Sequence, residues 1–311
     1  MISRRNVRVK VLQTLYALGR DPGQTPLWAE TFYRQKIREP YRLYLYTLYL
    51  LVRLCEYARK DTAIKASKYL PTEEDLLDLG RLVDNPVTLC LEQNNGFREL
   101  LRKENLLSMP DPDLLRQLYY AFIKTDHAKA YFALSEPTDS DHIDILLKLL
   151  KFFFHHELMQ EHLEDNFPNL TDDESLVLGA AKRSIKVLPG RTAFYLDHAP
   201  DPEVVVDFGE TLLYRTVRDE SELMEIISPA LQNWDPERLA VLDMIILKMA
   251  ITEFLHCPTV PTKVTLNEYV DIAKEYSTPK SREFVNGVLD RLMKELQEKG
   301  KIVKEGRGLL D

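Results

Sequence analysis

Residues 235–298 read DPERLAVLDMIILKMAITEFLHCPTVPTKVTLNEYVDIAKEYSTPKSREFVNGVLDRLMKELQE. Leu239, Leu242, Ile246, Met249 and Ala250 recur at three- and four-residue spacing, which places them on one side of an α-helix. Asp235-Pro236 reads as the start of that helix, an N-cap followed by proline at a position whose N–H has no helical partner anyway. Cys257-Pro258 ends it. Thr265 and Glu268 have the spacing of a capping box, and Leu266, Val270, Ala273 and Tyr276 continue as a second helical face. Thr278-Pro279 opens a third helix, with Val285, Val288, Leu289, Leu292 and Leu296 on one side. From Lys299 onward the chain is expected to be frayed and exposed.

The same periodicity extends outward. Phe208, Leu212, Leu213, Val217, Leu223, Ile226 and Ile227 predict two helices upstream, closed by Trp234. At the other end of the chain, Val7, Val11, Leu15 and Leu18, widened by Val9, Leu12 and Tyr16, predict a buried amphipathic helix over residues 4–18. Two prolines and a glycine between Asp21 and Pro26 make a loop after it. From Trp28 to Pro202 the chain reads as several helices. They are separated at Pro71, Asn85-Pro86, Met109 to Pro112, Pro137, Pro168, Pro189-Gly190 and Pro200 to Pro202. Tyr41, Tyr44, Leu45, Leu48, Leu51, Val52 and Cys55 form a strong stripe there, and weaker stripes follow near residues 113–134 and 142–164. No internal repeat is evident.

Composition supports an all-α fold. Only 11 of 311 residues are glycine, too few for the tight turns of an all-β protein or for phosphate-cradling loops. Cys55, Cys90 and Cys257 stand far apart without a disulfide or zinc spacing, which suits a reducing, cytoplasmic compartment. The longest apolar run, Leu43 to Val52, is short of the roughly 20 residues that span a bilayer, so no membrane helix is expected. Arg4 and Arg5 are not followed by the apolar block of a secretion signal, and the N-terminus is expected to stay on the mature protein. A net charge of −8 argues against a general polyanion binder. The charge is uneven, however: Arg4, Arg5, Arg8, Lys10 and Arg20 all precede the first acidic residue, Asp21.

Several residues break local rules. Arg4 and Arg5 lie at the positive end of their helix, where a cation costs about 0.3–1 kcal/mol. They read either as an anion site, with phosphate the best fit to the guanidinium fork, or as a solvated charged terminus. Asn286-Gly287 sits inside the last helix, where glycine costs about 1 kcal/mol against alanine. A close helix crossing would explain Gly287; alternatively Ser281, Phe284 and Asn286 form one exposed recognition edge. His155, His156 and Glu157, with His162 further on, do not have the spacing of a zinc helix, since Gln160 occupies the position a second same-face histidine would need. No GxxxxGK[ST], GxGxxG or GxSxG element occurs, so no cofactor or metal is expected and an enzyme reading has no support.

Both ends of the chain resemble the NusB family of transcription antitermination proteins. Ser3-Arg-Arg-Asn-Val-Arg-Val-Lys-Val-Leu-Gln-Thr-Leu-Tyr-Ala17 is similar to the family's arginine-rich first helix. Val260-Pro-Thr-Lys-Val-Thr-Leu-Asn-Glu268, Ala273-Lys274 and Phe284-Val-Asn-Gly-Val-Leu-Asp290 follow its C-terminal signature. Departures are Thr252, where the family usually has tyrosine before the glutamate matched by Glu253, and Thr262, often aromatic. The organisation expected is a basic first helix over residues 1–19, a helical insertion of unassigned role over 20–203, the rest of the NusB-like domain over 204–298, and a tail over 299–311.

The resemblance implies a pair of small helical bundles, here enlarged by the insertion, and an RNA-binding factor that catalyses nothing. It implies action with the ribosomal protein NusE on the boxA RNA of ribosomal RNA transcripts, in a complex with RNA polymerase, NusA and NusG. Carried over by position, Arg4, Arg5, Arg8 and Gln13 contact RNA, as do Lys280, Ser281 and Phe284, the last by stacking on an unpaired base. Tyr16 and Asp243 match positions on the NusE side, while Glu268 and Asn286 are structural. Two alternatives differ in class: a non-catalytic scaffold for protein partners, and an accessory to ribosomal RNA modification, since NusB-like domains also occur fused to methyltransferases. A methyltransferase would need a glycine-rich strand-to-helix loop, which this chain lacks.

Overall fold

A computed structural model describes residues 1–66, 79–231 and 239–309, and among these every regular element is a helix. In chain order they are α1 (Arg4–Arg20), α2 (Pro26–Ala66), α3 (Pro86–Gln93), α4 (Asn95–Lys103), α5 (Pro112–Phe122), α6 (Asp126–Phe132) and α7 (Asp139–Phe153). There follow α8 (Glu157–Asn166), α9 (Leu170–Val187), a π-helical segment (Glu203–Glu210), α10 (Thr211–Arg218), α11 (Glu220–Ile227), α12 (Val241–His256), α13 (Thr262–Tyr276) and α14 (Ser281–Glu298). None of the described helices is long and apolar enough to cross a membrane.

The chain divides into two compact units, a mid-chain unit of residues 38–199 with Met1 and a chain-end unit of residues 2–37 and 200–311. The change from one to the other falls within α2, so residues 26–37 belong with the chain ends and not with the stretch that follows them.

In the mid-chain unit, α2 is buried on nearly all sides from Leu43 to Cys55, as a helix at the centre of a bundle must be. It continues through Pro40, where a proline costs about 3 kcal/mol. The neighbouring Tyr41, Leu43 and Tyr44 offset this, since each fully buried large apolar side chain contributes about 1.5–3 kcal/mol. The punctuation residues become caps. The side chains of Asn85 and Asp111 accept from Val87 N and Asp113 N, each with proline at the next position. Each weak stripe is two helices: Thr125 stops the first and caps α6, while Phe154 and His156 separate α7 from α8. His162 bonds the Tyr46 hydroxyl at 2.6 Å, and among the described residues no His, Cys, Asp and Glu cluster is placed to hold a metal.

In the chain-end unit, α12 is the central element, packing on α1, α10, α11, α13 and α14. Asp235-Pro236, its expected start, and Trp234 lie outside the described residues; the helix itself begins at Val241. Three expectations are corrected here. The Thr265 and Glu268 pair caps nothing, because α13 already begins at Thr262 and both side chains lie inside it, facing α12 and α1. Gly287 is not at a helix crossing, since a Cβ there would meet open space. The tail is docked: Lys304 Nζ donates to Cys257 O at 3.1 Å, Glu305 N donates to Pro258 O at 3.0 Å, and Gly308 lies so close to Pro258 that a side chain would not fit.

Candidate functional site

The basic start of α1 is built by a local cap and a distant carboxylate. Ser3 accepts from Asn6 N while Ser3 N donates to Asn6 Oδ1, so the first backbone donors are satisfied without an acidic residue in the first turn. One turn in, Arg8 turns inward. Its Nε and Nη2 donate to the two oxygens of Glu253 at 2.8 and 2.6 Å, a bidentate pair between side chains that are almost completely buried. Thr265 Oγ1 and the Tyr269 hydroxyl also donate to Glu253, at 2.8 and 3.0 Å. The Phe208 and Tyr269 rings lie 5.2 and 5.8 Å from the Arg8 guanidinium. Burial by itself would lower the Arg8 pKa, but Glu253 outweighs it and holds the guanidinium above its ordinary value. Burial pushes the Tyr269 phenol well up, and the Glu253 charge adds to this.

Arg4 and Arg5 remain at the surface. Arg4 reaches Glu203 at 3.1 Å, and Arg5 lies 3.3 Å from Glu268 and 3.1 Å from Glu275. Exposed pairs such as Arg4–Glu203 and Arg5–Glu275 contribute about 0–1 kcal/mol each, while the half-buried Glu268 also lies 3.5 Å from Arg8. The Arg8–Glu253 pair is held more firmly, because removing one member strands a buried charge. The expected trio therefore splits: Arg4 and Arg5 are accessible, while Arg8 ties α1 to α12 and α13.

The start of α14 turns the other way. The Ser281 hydroxyl donates to Asp243 Oδ2 at 2.7 Å and Ser277 donates to Oδ1 at 2.6 Å, so a buried carboxylate of α12 fixes the α13–α14 junction. Phe284 is buried in the core of the unit. Instead of forming the expected outer edge, Ser281 and Phe284 face inward, and the residues exposed at this end are Lys280, Arg282, Glu283, Asn286 and Gly287. Lys280 follows Glu275, the partner of Arg5, by five residues, which keeps their Cα atoms within about 18 Å.

Further along α1, Gln13 is partly buried and Tyr16 is exposed, with the Arg20 guanidinium 5.7 Å from its ring. Beside this end of the helix, Leu15 and Leu18 with Val241, Met244 and Ile245 line an open apolar groove of about 800 Å³. Asp243 is interior and does not share a surface with Tyr16. Residues that sequence reasoning passed over are Glu253, Tyr269 and Glu275. Glu253 was detectable as a carboxylate between Thr252 and Phe254 in a mostly apolar stretch, and Thr265 and Tyr269 at i, i+4 place two hydroxyls on the face that meets it.

The NusB family model matches residues 182–294, from α9 into α14. A transcription antitermination protein NusB from Salinibacter ruber is 44% identical over 104 residues, which are 33% of this chain and 65% of that protein. One from Chloroherpeton thalassium is 39% identical over 105 residues, 34% of this chain and 50% of the relative. The chain thus spans between half and two thirds of the length of these two relatives. No solved structure matches. A third NusB, from Clostridium kluyveri, is 32% identical over 146 residues that make up 47% of this chain but 90% of the relative. Because nearly the whole of that protein is matched, this chain belongs to the NusB family.

Proposed function

We propose that the protein is an RNA-binding transcription antitermination factor that acts with NusE on boxA-type RNA in a complex with RNA polymerase, NusA and NusG. The observation that carries this reading is the state of the first helix in a member of this family: Arg4 and Arg5 sit at its exposed start in weak ion pairs, while Arg8 is locked to Glu253. Arg4 and Arg5 supply the phosphate contacts, Lys280 extends them along the α13–α14 end, and Gln13 borders the path. Phosphate binding at a helix start is favoured by the same helix dipole that makes these arginines unfavourable for the isolated helix. Arg8, Ser281 and Phe284 act from the interior, holding the surface in shape. Tyr16 and the apolar groove beside it face NusE, and Asp243 acts from the interior by fixing the start of α14.

The test is a salt-titrated binding assay with a boxA-type RNA, with and without NusE. The reading requires affinity that falls as salt rises and a tighter complex when NusE is present. RNA binding absent at low salt, with NusE present, would refute it.

A further inference from the structure

The chain-end unit has a second groove, of about 700 Å³, between the first turns of α2 and the face formed by the π-helical segment and α10. Three large apolar side chains stand open to solvent along it: Leu27 at 72%, Tyr214 at 58% and Val206 at 44%. Scattered apolar residues are normal on a surface, but several sharing one concave face mark an interaction site. The charges around them are not balanced. Glu30 and Glu210 share one guanidinium, Arg34, at 2.7 and 2.8 Å, and Arg218 is taken by Asp219 at 2.6 Å. Asp207 is exposed and has no ion pair among the described residues. An apolar floor is thereby rimmed by an excess of negative charge. That repels a nucleic acid strand and suits a ligand with the opposite sign.

We propose that this groove docks a cationic amphipathic segment of a protein partner, with its apolar side chains on Leu27, Val206 and Tyr214 and its Lys or Arg residues against Asp207 and the Glu30/Glu210 pair. The helix-in-groove mode supplies both parts, apolar anchors at helical spacing and a basic flank. The site is independent of the arginines at the start of α1, so its failure would leave the RNA reading standing.

The test uses the full chain and a labelled leucine–lysine peptide patterned as an amphipathic helix, followed by fluorescence anisotropy. A peptide of the same composition in shuffled order and a leucine–glutamate counterpart serve as comparisons. The patterned cationic peptide should bind best. Leu27→Ser with Tyr214→Ser should weaken it about tenfold. Asp207→Lys should weaken it severalfold and flatten its salt dependence, while Leu196→Ser, an exposed apolar position outside both grooves, should leave it unchanged. Equal binding of the shuffled or acidic peptide overturns the proposal, and so does unaltered affinity in the double variant with its helical circular dichroism intact. Should the double variant misfold, Asp207→Lys decides alone, because that side chain is exposed and makes no ion pair among the described residues. Self-association of the chain that is lost in either groove variant would show the occupant to be a second copy, which also overturns it.

Discussion

The starts of α1 and α14 raise the same expectation, a helix end that presents cations, a hydroxyl or a ring to RNA, and they fold in opposite senses. At α1 two of three arginines stay outside; at α14 the hydroxyl and the ring both go inside. What separates them is the supply of buried acceptors. Glu253 and Asp243 are both carboxylates of the central helix α12, and each recruits whatever donor its neighbours bring: a guanidinium and two hydroxyls in one case, two serine hydroxyls in the other. Arg4 and Arg5 meet the exposed Glu203 and Glu275 and the half-buried Glu268, none of them fully desolvated, and are not drawn in. A side chain's role here follows from the partner that desolvates it more than from its type.

The largest effect expected from this contrast is on stability. Arg8→Ala should cost about 3–5 kcal/mol by leaving Glu253 charged and buried, and Phe284→Ala about as much through the cavity it opens. Arg5→Ala should cost less than about 1 kcal/mol. Chemical denaturation of the three variants measures this, and equal losses at Arg8 and Arg5 would erase the distinction. Next in size is the effect on RNA: Arg4→Ala with Arg5→Ala should reduce the slope of log affinity against log salt by about 1.4, at about 0.7 per phosphate contact, with the melting temperature nearly unchanged. An unaltered slope would make the basic start a solvated end.

A smaller effect is expected at Gly287, which has open space around it: Gly287→Ala should stabilise the fold by about 0.4–1 kcal/mol. If RNA affinity falls in that variant while stability rises, the outer face of α14 takes part in recognition after all. The smallest concerns Glu275. Glu275→Gln removes one of the two carboxylates that hold Arg5 and should tighten RNA binding about twofold, an effect fading at high salt.

Most of the helices were legible because local signals agreed: the stripe of α1, the breaks at Asn85-Pro86 and Met109 to Pro112, and the stop at Cys257-Pro258. The errors have a common physical origin. Thr265 and Glu268 satisfy the capping-box spacing, but that spacing is also one turn of any helix, and the hydroxyl and carboxylate were serving α12 and α1. Gly287 looked like a packing residue because its cost is visible in sequence, whereas the space around it is a tertiary property. The tail from Lys299 looked loose because its bonding partners, the carbonyls of Cys257 and Pro258, lie 47 residues upstream of Lys304 and Glu305. For the candidate site, sequence located the basic run but could not tell which of its arginines would find a buried acid, since that acid is 245 positions away.

That separation sets a timetable for synthesis. Ribosomes add about 5–20 residues per second, so Arg8 is made about 12–50 s before Glu253, 245 residues later, can meet it. All of residues 38–199 of the mid-chain unit, continuous in sequence, are made during that wait. Meanwhile Val7, Val11, Leu12 and Leu15 of α1, buried in the finished protein, still lack α12, one of the helices that cover them. Nascent chains arrested just before α12 should therefore resist protease across the mid-chain unit while α1 is cut, and the first helix to be made stays unlocked until the twelfth arrives.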